Sequence, residues 1–226
     1  MKKYKCLLFD VDGTLLDFDK TEEYALYHTF EDYGIVLSDE MKQRYEEINK
    51  QLWKDFENGL IDKKTIVYTR FVQLFKEFDI NEDGIAFEDD YQETLGKGYF
   101  VLPHAREMLE KLSLKYPLYV VTNGVSKTQY SRLKGTHIDQ YFQDIFVSED
   151  IGYQKPRKEY FDYCFEKIEN IDKEHTLIIG DSLSSDMQGG INVGIDTCWF
   201  NPHHLKKPQD MDITYEIHDL RELLKL

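Results

Sequence analysis

The apolar run Cys6-Leu7-Leu8-Phe9 passes with no spacer into Asp10-Val11-Asp12-Gly13-Thr14. A short apolar run of this kind reads as a buried strand, so two acids stand at its C-terminal end. Side chains alternate along extended backbone, which puts Asp10 and Asp12 on one face and Val11 on the other. The carboxyl ends of strands are where open α/β sheets hold their ligands. Left uncompensated, two such carboxylates repel and one pKa rises; a bound cation, or one member kept protonated as a general acid, resolves the conflict.

The same grammar recurs along the chain. Leu118-Tyr119-Val120-Val121 precedes Thr122-Asn123-Gly124, Ile145-Phe146-Val147 ends in polar residues, and Leu177-Ile178-Ile179 precedes Gly180-Asp181. Pro103 comes just before Ala105, Met108, Leu109 and Leu112, whose i, i+3, i+4, i+7 spacing predicts a crossover helix. Strand, helix, strand repeats predict an α/β fold with a Rossmann-like, doubly wound parallel sheet. Between Leu16 and about Gly98 the strand signals stop and helical patterns follow one another. The expected organisation is a catalytic core over residues 1–15 and 99–226 with a helical insert over 16–98. Asp19-x-x-Glu22 reads as a capping box for the insert's first helix, carrying Ala25, Leu26, Thr29 and Phe30. The hinges fall at Asp17 to Lys20 and Gly96 to Leu102, beside Asp10, where an insert can exclude water and select substrates.

Charge narrows the function classes. With 43 acidic against 28 basic residues and a net charge of -15, the chain lacks the basic footprint that nucleic acid polymers need. Small phosphorylated substrates stay possible, because a metal and a few local cations can reverse the field inside one cleft. Cys6, Cys164 and Cys198 are odd in number and lack metal-ligand spacing, which suggests reduced thiols and the cytoplasm. Lys2 and Lys3 precede an apolar run that breaks at Asp10, too early for a signal peptide. No apolar stretch approaches the roughly 20 residues of a membrane span.

One competing signal is Asp79-x-Asn81-x-Asp83-Gly84, which opens like a calcium loop with Asp90 at the twelfth position. Asp90 stands where such loops have Glu, Ala86 where they have a large apolar residue, and no second loop pairs with it. An acidic connection between helices is the expectation.

Four motifs lie at strand ends in a fixed order: Asp10-x-Asp12-Gly13-Thr14, Thr122-Asn123-Gly124, Lys155-Pro156, and Gly180-Asp181-Ser182-x-x-x-Asp186. Together they resemble the haloacid dehalogenase superfamily of phosphotransferases, with the insert in the position of that family's helical cap. The resemblance covers nearly the whole chain, including Ile151 to Pro156 and Gly189 to Gly194. It implies a Mg²⁺ ion whose inner ligands are Asp10, the backbone carbonyl of Asp12 and Asp181, with Asp186 binding directly or through water. Hard carboxylate oxygens suit that ion. Asp186 could equally cap the helix that follows it.

Phosphoryl transfer needs an in-line nucleophile and cancellation of charge on the equatorial oxygens. Asp10 is the expected nucleophile, forming an aspartyl-phosphate. Asp12 would protonate the leaving oxygen and then take a proton from water. Thr122 and Asn123, through a hydroxyl and backbone amides, and Lys155, through its charge, are the expected phosphate clamps, Lys155 also neutralising the nucleophile. Because carbon-halogen cleavage creates no alkoxide that needs such an acid, Asp12 disfavours dehalogenation.

Leu16-Asp17-Phe18, Gln129 to Leu133 and Ile151 to Pro156 are similar to the branch containing bacterial pyrimidine 5′-nucleotidases, which implies nucleoside 5′-monophosphates as substrates. Among Phe18, Tyr24, Tyr27, Trp53, Phe56 and Tyr68, aromatic packing in a core is expected for most, with Phe18 the candidate substrate contact. A sugar phosphomutase, a phosphatase of other small metabolites and a catalytically silent binding protein are the alternatives. The sequence is compatible with a monomer or a dimer.

Overall fold

The computed structural model describes residues 3–225. Strand β1 (Cys6–Phe9) is buried along its whole length, and its alternation decides which layer each residue joins. Leu7 and Phe9 pack with Ala105, Met108, Leu109 and Leu112 of helix α5 (Ala105–Ser113) on one side of the sheet. Cys6 and Leu8 pack with Tyr160, Phe161 and Cys164 of helix α8 (Lys158–Lys167) on the other. Both faces are therefore covered, which is why the strand is an unbroken apolar run.

β1 is flanked by β2 (Leu118–Thr122) and β4 (Thr176–Gly180), β2 by β3 (Asp144–Val147), and β4 by β5 (Asp196–Phe200), which carries β6 (Tyr215–Ile217) at the edge. Every pairing is parallel, and the six strands run in the order β3-β2-β1-β4-β5-β6. This is the doubly wound, Rossmann-like order, and the succession reverses at β1 and β4, where such sheets open a crevice at their carboxyl ends. Phe9 lies level with both Val120 and Ile179, so the residues following β1, β2 and β4 arrive at one edge together.

Two strands carry no clear sequence signal. β5 opens with the polar pair Asp196 and Thr197, and β6 is a three-residue edge strand. The three cysteines are free and buried. Among the described residues, no helix is long and apolar enough to cross a membrane.

The chain divides into two compact units, one comprising residues up to Phe18 and from Tyr99 onward, the other Asp19–Gly98. Leu16, Asp17 and Phe18 thus go with the sheet: Leu16 bridges to Val101, and the Asp17 amide donates to Phe100 O at 2.9 Å. The second unit is built from α1 (Phe18–Asp32), α2 (Asp39–Glu57), α3 (Lys63–Glu77) and α4 (Gly84–Leu95). Its first helix departs from the expected capping box. The helix already begins at Phe18, so Asp19 lies in its first turn, and Glu22 accepts from Tyr45 Oη and Asn49 Nδ2.

The core of this unit is aromatic, but not through the residues singled out above. Phe30, Tyr45, Phe71, Phe75, Phe87 and Tyr91 are buried, with Phe71 and Phe87 centroids 4.6 Å apart. Of the earlier candidates in this unit only Phe56 is buried, while Tyr27 and Tyr68 are exposed. Tyr27 fails because Ala25, Leu26, Thr29 and Phe30 define the inward stripe of α1. Within this apolar cluster Arg70 makes a bidentate pair with Glu88 at 2.6 and 2.7 Å and lies 4.8 Å from the Tyr91 ring centroid. Two acids of the calcium-like pattern have structural partners, Asp83 at the start of α4 and Asp90 within it. Asp83 caps α4 through Ile85 and Ala86 amides, and Asp90 accepts from Tyr33 Oη at 2.7 Å.

Candidate active site

Asp10 follows the last residue of β1, and its amide donates to Ile179 O at 2.9 Å, which locks it against β4. Asp181 follows β4 directly. Asp186 lies four residues beyond Ser182, in a short π-helical turn, Leu183–Met187. That turn folds the chain back, and carboxylate oxygens of Asp10, Asp181 and Asp186 all lie within 4.8 Å of one another. The capping role considered for Asp186 falls to Ser182, whose Oγ accepts from the Ser185 amide. Asp186 reciprocates by accepting from the Ser182 amide at 3.1 Å.

Lys155, 1% exposed, enters the cluster from the segment after α7 (Ser148–Ile151). Its Nζ donates to Asp10 Oδ1 at 2.7 Å, Asp186 Oδ1 at 2.7 Å and Val121 O at 2.8 Å, so all three donors are used. Burial alone would lower the pKa of this ammonium, but the carboxylates of Asp10 and Asp186 outweigh it and the net shift is upward. Asp10 is displaced the other way. Burial raises its pKa well above the carboxylate range, Lys155 opposes the rise, and Asp186 and Asp181 add to it. Asp181 is likewise raised, by burial first and then by Asp186.

These shifts state a charge imbalance. Three carboxylates face one ammonium, leaving two negative charges if all are ionised. The donor set is all oxygen and hard, and the residues therefore fit a divalent cation of the Mg²⁺ class. Asp181 is further fixed by Trp199, whose Nε1 donates to its backbone carbonyl at 2.8 Å. Thr14 lies between two of the acids, with Oγ1 3.3 Å from Asp10 Oδ2 and 3.4 Å from Asp181 Oδ1. Gly13 makes the sharp turn between them at φ +76°, and a Cβ there would come within 2.5 Å of Asp181 Oδ2.

The remaining candidates are placed as follows. Thr122, buried at the end of β2, accepts the Gly124 amide at its hydroxyl oxygen at 3.1 Å. Asn123, expected to serve through its backbone amide, has its side chain engaged with the backbone of Lys155. Nδ2 donates to Lys155 O and Oδ1 accepts from Lys155 N, both at 2.9 Å. These two bonds hold the lysine segment in place. Asp12 lies in the loop after β1, paired with Arg132 and Gln129 of helix α6 (Ser126–Gly135). Phe18 begins α1, and its ring centroid is 5.7 Å from the Arg132 guanidinium carbon.

Sequence reasoning passed over Thr14, Trp199, Gln129 and Arg132 as working residues. Thr14 carried a signal, since it lies within the first motif. The others reach Asp12 or Asp181 across long sequence separations, such as 117 residues for Gln129 and 120 for Arg132, which spacing cannot reveal.

Comparison with known proteins adds the following. The model of the haloacid dehalogenase-like hydrolases matches residues 7–200. The chain is 41% identical to the pyrimidine 5′-nucleotidase PynA of Streptococcus pneumoniae, over 98% of this chain and 94% of that one. It is 34% identical to the pyrimidine 5′-nucleotidase YjjG of Escherichia coli, over 99% and 98%. A crystal structure of YfnB from Bacillus subtilis, bound to magnesium, superposes with a TM-score of 0.94 at 47% identity, covering 99% of this chain and 98% of that one.

Proposed function

The chain belongs to the haloacid dehalogenase-like hydrolase family, and on that footing we propose that it is a Mg²⁺-dependent phosphatase that hydrolyses pyrimidine nucleoside 5′-monophosphates through Asp10. The observation that carries this reading is the buried cluster itself. A carboxylate held by one ammonium beside two further acids has no structural reason to exist, and burying such charge is costly.

In this mechanism Asp10 Oδ2, touched only by the Thr14 hydroxyl at 3.3 Å among the described residues, attacks the phosphorus. The bond from phosphorus to the ester oxygen breaks as the bond to Asp10 forms, giving an aspartyl-phosphate. Asp12 delivers a proton to the departing oxygen, then removes one from the water that attacks the phosphorus as its bond to Asp10 breaks, releasing inorganic phosphate and the free carboxylate. Lys155 keeps Asp10 anionic and screens the incoming phosphoryl charge, while Thr122 and the Asn123 backbone bind its oxygens. Asp10, the Asp12 carbonyl, Asp181 and Asp186 would hold the Mg²⁺ ion, which when bound offsets the cluster's excess negative charge and that of the phosphoryl group.

The nucleotide preference is supported by the names of the two relatives, and the metal by the magnesium-bound YfnB structure. Phe18, beside Arg132, is the residue we take as the contact for the non-phosphate half of the substrate. A cytoplasmic location accords with three free thiols that burial leaves unreactive, Cys6 and Cys198 both pushed up to about 12.

The test is release of inorganic phosphate from a panel of nucleotides, sugar phosphates and small phosphoesters, in Mg²⁺ and in EDTA. Pyrimidine 5′-monophosphates should exceed sugar phosphates in kcat/KM by at least about tenfold, and EDTA should abolish turnover. Conversion of a hexose 1-phosphate to its isomer without phosphate release would replace this reading with a mutase.

A further inference from the structure

We propose that Gln129 and Arg132 are positioning residues that hold the Asp12 carboxylate in the orientation for proton transfer, and that position 124 is glycine so that Gln129 can reach it. This rests on the reading of Asp12 as the acid and base of the reaction.

Asp12 lies in a loop and its side chain is 25% exposed, so nothing in the local backbone fixes its rotamer. Fixation comes from α6. Residues three apart on a helix share a face, and here that face presents one donor to each carboxylate oxygen. Arg132 Nη1 donates to Asp12 Oδ1 and Gln129 Nε2 to Asp12 Oδ2. Both donors are themselves rigid, 0% and 1% exposed. The Phe18 ring lies 5.7 Å from the Arg132 guanidinium carbon, which restricts that plane in turn.

Two observations set this apart from ordinary packing. First, Gln129 Oε1 is buried with no hydrogen-bond partner among the described residues. An amide oxygen left unpaired in the interior costs stability, and an apolar side chain of the same size would avoid that cost. What the amide supplies in return is its contact with Asp12. Second, a Cβ at Gly124 would lie 1.9 Å from Gln129 Nε2 and 2.6 Å from its Cδ. The Gln129 side chain crosses Gly124 to reach Asp12, so the third residue of the Thr122-Asn123-Gly124 motif serves the acid of the first. The pair is buried on the Arg132 side and partly exposed on the Asp12 side, which makes it weak evidence for stability and points to orientation as its use.

The experiment compares kcat/KM, which reports the steps up to leaving-group departure, for a nucleoside 5′-monophosphate, whose alkoxide needs the acid, and for 4-nitrophenyl phosphate, which does not; all losses below are in kcat/KM unless kcat is named. Arg132→Ala and Gln129→Ala should each lower kcat/KM on the nucleotide by about ten- to hundredfold and on the aryl ester by less than about threefold, while kcat falls on both esters because Asp12 also serves as base toward the water of the second step. Arg132→Lys should recover part of the loss. In an Asp12→Ala background, Arg132→Ala should cost nothing further on either ester. Equal losses on both esters, or a loss that adds in full to that of Asp12→Ala, would overturn the proposal. If Asp12→Ala alone reduces both esters equally, the reading of Asp12 fails and takes this inference with it. Selectivity in Asp12→Ala without selectivity in the α6 variants sinks the positioning role alone. Should Arg132→Ala not fold, Gln129→Ala and Gly124→Ala carry the test, since neither strands a buried charge, and both must reproduce the leaving-group dependence.

Discussion

Lys155→Met removes one charge and three hydrogen bonds while nearly preserving side-chain length, and its consequences can be worked from the site. Without the ammonium, Asp10 and Asp186, 7% and 0% exposed, face each other and Asp181 with no counter-charge. Breaking a buried pair by removing one partner costs about 3–5 kcal/mol, because the remaining charge is left desolvated. Against a domain stability of about 5–15 kcal/mol that is a large deficit. The acids can escape it by taking up protons. The folded pKa values of Asp10 and Asp181 lie above the unfolded ones, so the destabilisation is present at high pH and is relieved as pH falls. Mg²⁺ offers a second escape, contributing about 2.7 kcal/mol at a hundredfold excess over its dissociation constant. Urea denaturation of both proteins at pH 8 and pH 5.5, in EDTA and in Mg²⁺, reads all of these terms. The variant should fall several kcal/mol below wild type at pH 8 in EDTA and close part of the gap on acidification or metal addition. A deficit below about 0.5 kcal/mol, or one indifferent to pH and to metal, would refute the charge-balance reasoning.

In the helical unit, burial pushes Glu22 up to about 7, with Arg70 and the Tyr45 hydrogen bond opposing the rise. Because its folded pKa exceeds its unfolded one, wild type loses stability as pH climbs from about 4.5 to 7. Discounting for its partial exposure, Glu22→Gln should be more stable than wild type by about 1–2 kcal/mol at pH 8 and equal to it near pH 4.5, by chemical denaturation. A difference constant across that range would contradict the assignment. Gly13→Ala should lower kcat by about a hundredfold or more, since its Cβ must displace Asp181 and a shift of about 1 Å at a reacting centre has that effect. Its far-ultraviolet circular dichroism should be unchanged; near-normal turnover would mean that the Asp181 position is not critical.

The legible part of this protein was the part written locally. Buried strands announce themselves as apolar runs, and β1, β2, β3 and β4 each end in the polar residues that the sequence marks out. β5 and β6 escaped because a polar start and a three-residue edge leave no run to detect. Aromatic count was a poor guide to the helical core, where the inward stripe of each helix, not residue type, selected Phe30 over Tyr27. At the candidate site, spacing could bring Asp10, Asp181, Asp186 and Lys155 to one sheet edge but could not say what each side chain does on arrival. Asn123 illustrates the gap: spacing marks its backbone amide for a strand-end site, but only the fold shows its side chain bonded to the backbone of Lys155. The partners of Asp12 belong to tertiary structure alone, since α6 follows β2 and meets the loop after β1 only through the pairing of those two strands.

The central claim is that Asp10 becomes phosphorylated during turnover. Acid quenching of the enzyme while it hydrolyses a nucleoside 5′-monophosphate in Mg²⁺, followed by peptide mass spectrometry, tests it most directly. One phosphoryl group on the peptide bearing Asp10, absent in Asp10→Asn together with all turnover, is the predicted result. Sustained phosphate release with no phosphoryl group on Asp10 at any quench time, or turnover that survives Asp10→Asn, would contradict it.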